Sequence, residues 1–79
     1  MNTLATKEFT ATAKYVAVKS ETLEVYLTDG RIISVPIEWF PKLRDASEKE
    51  RNNWRLIGGG VGIHWEDIDE DLSVSGLLR

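Results

Sequence analysis

Two short runs of alternating apolar residues on either side of an Asp-Gly pair constrain the fold of this chain most. Leu23, Val25 and Leu27 alternate with polar residues and Tyr26, and Asp29-Gly30 separates them from a second apolar run. Such alternation is typical of strands with one buried face, and an Asp-Gly pair between two of them favours a tight turn. The sequence therefore predicts an antiparallel β-hairpin.

The apolar pattern also selects the length of the hairpin loop. A two-residue turn would divide the aliphatic side chains between the two faces of the hairpin. A three-residue loop over 28–30, with its glycine in the left-handed conformation, pairs Val25 with Ile33 and Leu23 with Val35. Because a slip of one residue moves every side chain to the other face, we predict the three-residue loop.

The other elements are short. A β-branched run over 14–19 predicts a first strand, and two prolines bracket a structured corner over 36–41. A capping box at Ser47 predicts a helix that runs to about Trp54, and the glycine-rich stretch 58–62 predicts the turn of a second hairpin. A last helical turn is expected from Ser73, with the apolar contacts Val74, Leu77 and Leu78.

These elements predict an α+β fold. We expect a small antiparallel sheet of β-hairpins with one or two short helices packed on one face. A chain of 79 residues has room for one domain, which we place at 13–79, after a loose arm or edge strand at 1–12. A domain of about this size buries only about 60% of its unfolded surface, so a partner or a second copy would add stability.

Composition bears on location and on partners. The chain has no cysteine, its N-terminus lacks the pattern of a signal peptide, and its longest uncharged run is too short to cross a membrane, so we expect a cytoplasmic protein. Of the net charge of −3, residues 61–79 carry −4. An acidic end disfavours nucleic acid as a partner, because affinity for phosphates depends on clustered Lys and Arg.

His64 and the acidic run that follows it are the residues most suggestive of chemistry. His64 is the only histidine, and Asp67 is near enough in sequence to orient it as a general base. Asp67, Asp69 and Asp71 alternate like calcium ligands, but the Gly and Glu that an EF-hand loop requires are missing. The glycine-rich stretch fits no phosphate-binding motif. We therefore assign no catalytic, metal-binding or cofactor-binding residue, and expect no cofactor.

Aromatic and basic residues indicate an interaction surface instead. Three tryptophans are many for this length, and Arg44, Arg51 and Arg55 would share one face if the predicted helix extended backwards. Tyr26 and Ile32 lie together on the second face of the hairpin. The predicted interaction surface comprises these residues: Tyr26, Ile32, Trp39, Phe40, Arg44, Arg51, Trp54, Arg55, His64 and Trp65.

Several of these segments together resemble a bacterial family of unknown function, domain-of-unknown-function family 2442. The resemblance rests on Asp29-Gly30-Arg31, the stretch 35–43, Ala46-Ser47, Gly62-Ile63-His64-Trp65 and the stretch 69–73, and it covers about residues 14 to 79. Lys42 and Glu66 depart from the Arg and Pro typical of the family. The resemblance implies a small α+β fold with no established activity, and some relatives are similar to the partners of small proteins in toxin-antitoxin pairs.

We therefore expect a noncatalytic protein-interaction or regulatory module, antitoxin-like or adaptor-like. Its partner would be a protein, or a second copy in a homodimer. One alternative is a small enzyme or metal-binding protein that uses His64 with Asp67, Asp69 or Asp71. Another alternative is a DNA-binding regulator, which the acidic end disfavours.

Overall fold

The computed structural model describes residues 11–78, and within this range the chain forms two three-stranded antiparallel sheets and three short α-helices. The α+β class is confirmed, although we expected only one or two helices. Of the arm predicted for 1–12, all but the last two residues lies outside the described range. The elements are β1 (Ala13–Val18), β2 (Thr22–Leu27), β3 (Ile32–Pro36), α1 (Pro41–Arg44), α2 (Glu48–Asn52), β4 (Trp54–Ile57), β5 (Gly62–Trp65), β6 (Glu70–Ser73) and α3 (Val74–Leu77).

The first sheet has the strand order β1-β2-β3, and the loop between β2 and β3 has the predicted register. Leu23 pairs with Val35, Val25 pairs with Ile33, and the two-residue turn is excluded. Gly30 has a φ of +98°, a conformation that favours glycine. The alternation of apolar residues therefore predicted both the hairpin and the face of each side chain correctly.

The second sheet has the strand order β4-β5-β6. The predicted second hairpin is confirmed, and its turn contains Gly58–Gly60, all three with a positive φ. Strand β6 was not predicted, because the sequence Glu-Asp-Leu-Ser has little intrinsic preference for a strand. Ile63 and Trp65 are fully buried, so the alternate residues of β5, Gly62 and His64, lie on the opposite, outer face of this sheet.

Serine side chains cap two of the three short helices, and α2 has no buried residue of its own. The capping box at Ser47 is present: its side chain accepts a hydrogen bond from the Glu50 N–H, and the Glu50 side chain accepts one from the Ser47 N–H. Helix α2 ends at Asn52 and not near Trp54, which begins β4 instead. The predicted last turn is helix α3, capped by Ser73.

One apolar core joins the two sheets. Leu43 of α1 is fully buried, and the 3₁₀ turn over Ile37–Trp39 places Ile37 in the same core. Leu78, an expected apolar contact of the last turn, is instead 43% exposed. No helix within residues 11–78 has both the length and the apolar surface needed to cross a lipid bilayer. Within residues 11–78, the buried hydrophobic side chains that form this core are Ala13, Val16, Leu23, Val25, Leu27, Val35, Ile37, Leu43, Ile63, Trp65, Val74 and Leu77.

Candidate functional site

A row of charged side chains crosses the outer face of the second sheet. Cross-strand pairing places Arg55 beside His64, and His64 beside Asp71. The Oδ1 atom of Asp71 lies 2.5 Å from Nδ1 of His64, and Oε1 of Glu66 lies 3.2 Å from Nε2. The same Glu66 oxygen accepts a hydrogen bond from Nη2 of Arg55 at 3.4 Å. Each ring nitrogen of His64 therefore has a carboxylate next to it.

This arrangement favours the charged form of His64. The hydrogen bond with Asp71 raises the pKa of the imidazole and Glu66 acts in the same direction, while partial burial and Arg55 oppose them. A general base needs a ring nitrogen directed at the proton that it removes, and both nitrogens here are directed at carboxylates. Of the aspartates that the enzyme alternative names, Asp71 contacts the ring, whereas Oδ2 of Asp67 accepts a hydrogen bond from Nδ2 of Asn53 at 3.0 Å.

The His64–Asp71 pair makes stability depend on pH. Because the pKa of His64 is raised in the folded protein, its contribution is fully present below the unfolded-state pKa of about 6.5 and is lost as the pH rises through the folded-state pKa. We expect Asp71→Asn to lower the pKa of His64 in an NMR titration of its ring protons. Asp67→Asn removes the same charge away from the ring and should change this pKa less. Equal pKa values in the two variants would contradict the assignment.

The three aspartates that alternate in sequence do not converge on one ion. Asp71 contacts His64, whereas Asp67 contacts Asn53. Asp69 has a φ of +51°, and its carbonyl oxygen accepts a hydrogen bond from Nζ of Lys42 at 3.1 Å. Within the part of the chain that the structure describes, no three His, Cys, Asp or Glu side chains are grouped to hold a metal.

The three arginines do not share a helix face, because the capping box at Ser47 starts a new helix and Arg55 lies on β4. Arg44 pairs with Glu38 and with its neighbour Asp45, at 3.1 and 2.9 Å. The Arg51 guanidinium donates hydrogen bonds to the last carbonyls of α1, at 2.9 and 2.7 Å. Arg51 therefore caps the C-terminal end of that helix.

The three tryptophans have three different environments. Trp65 is fully buried, and its Nε1–H donates to the backbone oxygen of Arg51 at 3.0 Å, so its assignment to an interaction surface is wrong. Trp54 is half-buried and packs edge-on against Tyr15, with ring centroids 5.6 Å apart. Trp39 is 62% exposed. Only Trp39 presents most of an indole ring to solvent.

An aromatic strip crosses the outer face of the first sheet. Cross-strand pairing aligns Tyr15, Tyr26 and Ile32 in one row, which continues through the contact of Tyr15 with Trp54. Tyr15 and Ile32 are 55% and 56% exposed, and Tyr26 is half-buried. The predicted pair of Tyr26 and Ile32 is present. Tyr15 was missed, although Val16 next to it is buried and pairs with Val25, which places Tyr15 on the opposite face.

A cavity of about 460 Å³ lies beside Trp39. The Phe40 ring, half-buried, stands edge-on to Trp39 with centroids 6.5 Å apart and forms part of the wall. Strand β6 and helix α3 supply the opposite wall through Leu72 and Leu77. The cavity thus combines an exposed indole and aliphatic side chains with the polar residues Asp71 and Ser73 of β6. A mostly apolar lining with a few polar groups is typical of a binding pocket.

The chain is similar in sequence to a protein family and in fold to a solved structure. A family model described as "Protein of unknown function (DUF2442)" matches residues 13–79. The chain belongs to this family. The chain is also similar to a protein of unknown function from Rhodospirillum rubrum ATCC 11170, whose crystal structure is known. The two sequences are 30% identical and the two folds have a TM-score of 0.73, over 86% of this chain and 84% of that chain. No curated protein matches the sequence significantly. The DUF2442 assignment confirms the resemblance and, like the similar structure, leaves the activity open.

Proposed function

We propose that this DUF2442 protein is a noncatalytic protein-interaction module, antitoxin-like or adaptor-like, that binds a protein partner in the cytoplasm. The observation that carries the proposal is Trp39, which is 62% exposed, packs against Phe40 and lines the cavity. Tryptophan residues in such positions are among the side chains that contribute most to binding in protein interfaces. A partner that covers Trp39 would remove the apolar surface of this indole from water.

Charge indicates what kind of partner fits. Residues 66–71 include five carboxylates and no basic residue, and the last two of them begin β6, the strand that borders the cavity. Such a surface repels nucleic acid and attracts Lys and Arg side chains. A partner with exposed apolar residues next to basic ones therefore suits this surface best.

Trp39→Ala tests the proposal. We expect the variant to retain its thermal unfolding midpoint, because the indole contributes little to the core, and to lose the partner that the native chain captures from a native lysate at near-physiological salt. Loss of a central tryptophan costs about 2 kcal/mol or more in interfaces of this kind, so capture should fall by more than about tenfold. Quantitative mass spectrometry of the captured proteins measures the change.

Leu78→Ala is the matched control, because Leu78 is an exposed apolar residue that does not line the cavity. It should capture the partner as well as the native chain does. Recovery of nothing but further copies of the chain, or equal capture by the Trp39 variant, would contradict the proposal.

A further inference from the structure

Strand β6 lies at the edge of the second sheet. The hydrogen bonds that it makes with β5 show which of its backbone groups face away from the sheet. The Val74 N–H donates to the Val61 oxygen at 2.9 Å, next to the paired residues Gly62 and Ser73. Inward-facing and outward-facing residues alternate in an antiparallel ladder. The N–H and C=O of Asp71 and the N–H of Ser73 therefore point away from β5. Within residues 11–78, no hydrogen bond reaches these three groups.

The open part of this edge is short and well defined. At its N-terminal end, the Lys42 ammonium group donates to the carbonyl oxygen of Asp69 and thereby occupies the next outward-facing position. At its C-terminal end, the chain passes directly from Ser73 into α3. The accessible edge is therefore Asp71-Leu72-Ser73, three residues in length.

Cavities flank this edge on both faces of the sheet. The cavity beside Trp39 lies on the core side, where Leu72 and Leu77 point. A second cavity, of about 500 Å³, lies on the outer face and is lined by Ile57, Val61 and Gly62 together with the edge residues. An added strand would direct successive side chains to opposite faces, and therefore into the two cavities in turn.

Charge selects the occupant of the edge. A second copy of β6 would bring its own Glu70 and Asp71 next to these carboxylates, and like charges across a ladder are destabilising. Asp71 contacts His64 but its side chain remains 67% exposed, so a segment with Lys or Arg opposite it would add a favourable cross-strand pair. The edge is therefore suited to a basic segment of another protein and not to self-pairing.

We propose, building on the interaction function above, that the Asp71–Ser73 edge binds an extended partner segment as an added antiparallel strand. Strand addition draws affinity from backbone hydrogen bonds and specificity from pockets for alternate side chains. The partner residue opposite Ser73 is apolar and enters the outer cavity. The partner residue opposite Leu72 is large and apolar and enters the cavity beside Trp39. The partner residue opposite Asp71 is Lys or Arg. The recognised sequence is apolar-apolar-basic, read from the N-terminus of the partner.

A displayed library of fully randomised nonapeptides, selected on the immobilised full chain at near-physiological salt, is the probe. We expect the enriched peptides to share the apolar-apolar-basic pattern. In a synthetic copy of the most enriched peptide, N-methylation of the basic residue removes a hydrogen bond to Asp71 and adds a steric clash, which should weaken binding by about tenfold or more. N-methylation of the middle residue, whose N–H faces away from the edge, should change binding by less than about twofold.

Protein variants supply the second measurement. Trp39→Ala should relax selection for a large middle residue, and Asp71→Asn should relax selection for Lys or Arg, whereas Asp67→Asn should leave the pattern unchanged. Failure to enrich the pattern, or equal sensitivity to N-methylation at both positions, would overturn the strand-addition proposal. Loss of lysate capture by Trp39→Ala would still support the interaction function in that case, so the two proposals can fail separately.

Discussion

Trp65→Ala is expected to lower the free energy of unfolding by about 3 to 5 kcal/mol, the range measured when a buried aromatic side chain is truncated. Trp65 is fully buried, and its Nε1–H satisfies the backbone oxygen of Arg51, so the variant loses apolar burial and a hydrogen bond together. A domain of this length has a total stability of about 4 to 12 kcal/mol. The variant should therefore be marginally folded or unfolded near 37 °C.

Urea unfolding followed by circular dichroism measures this effect, and Trp39→Ala is the matched control. The same chemical change at the exposed tryptophan should cost less than about 1 kcal/mol, because truncations at exposed positions rarely destabilise. A comparable loss of stability in both variants would mean that the two indoles contribute equally to the core.

Gly60→Ala is expected to be the most damaging of the glycine substitutions. Gly60 has a φ of +103°, and a Cβ atom there would lie 2.8 Å from the backbone oxygen of Ala13 and 3.0 Å from Cβ of Thr12. The strained backbone costs about 1 to 3 kcal/mol, and the overlap with β1 adds about 1 to 3 kcal/mol. We therefore expect a loss of about 2 to 6 kcal/mol.

Gly59→Ala, one residue earlier, separates the two causes. Gly59 also has a positive φ, +71°, but a Cβ atom there would meet nothing within 4 Å. Its substitution should cost about 1 to 2 kcal/mol, the cost of the left-handed conformation alone. If thermal unfolding shows the two variants to be equally stable, the close approach of the Gly60 turn to β1 contributes nothing.

The first sheet could be predicted from the sequence because its signals are local. The alternation of Leu23, Val25 and Leu27 fixed the buried face, and the only register that keeps Ile33 on that face needs the three-residue loop that the structure contains. The start of α2 was equally clear, because both hydrogen bonds of a capping box form between side chains and backbone three residues apart.

The second sheet was less predictable because tertiary pairing determines its third strand. Glu70-Asp71-Leu72-Ser73 forms a strand only because β5 offers it hydrogen bonds, which a single segment cannot reveal. Without β6, sequence proximity favoured Asp67 as the partner of His64, whereas strand register selects Asp71. The open edge and its cavities were missed for the same reason.

The tryptophans could be counted from the sequence but not assigned to environments. Trp65 lies in a strand in which Gly62 and His64 occupy the other face. One glycine and one histidine are too weak a polar pattern to predict that the face with Trp65 is the buried one. Trp39 lies in a 3₁₀ turn between two prolines, where neither a helical nor a strand period applies. Side-chain exposure in such a corner depends on packing with distant elements.

Each sheet consists of three strands that are consecutive in the chain, and this connectivity has a kinetic consequence. Strand pairing in β1–β3 and in β4–β6 needs only short loops to close, so its entropic cost is small. Chains with such local contacts cross their folding barriers quickly. We therefore expect the meeting of the two sheets, which buries Trp65, to limit the folding rate. Substitutions in the intervening segment 37–53 should then change how fast the protein folds.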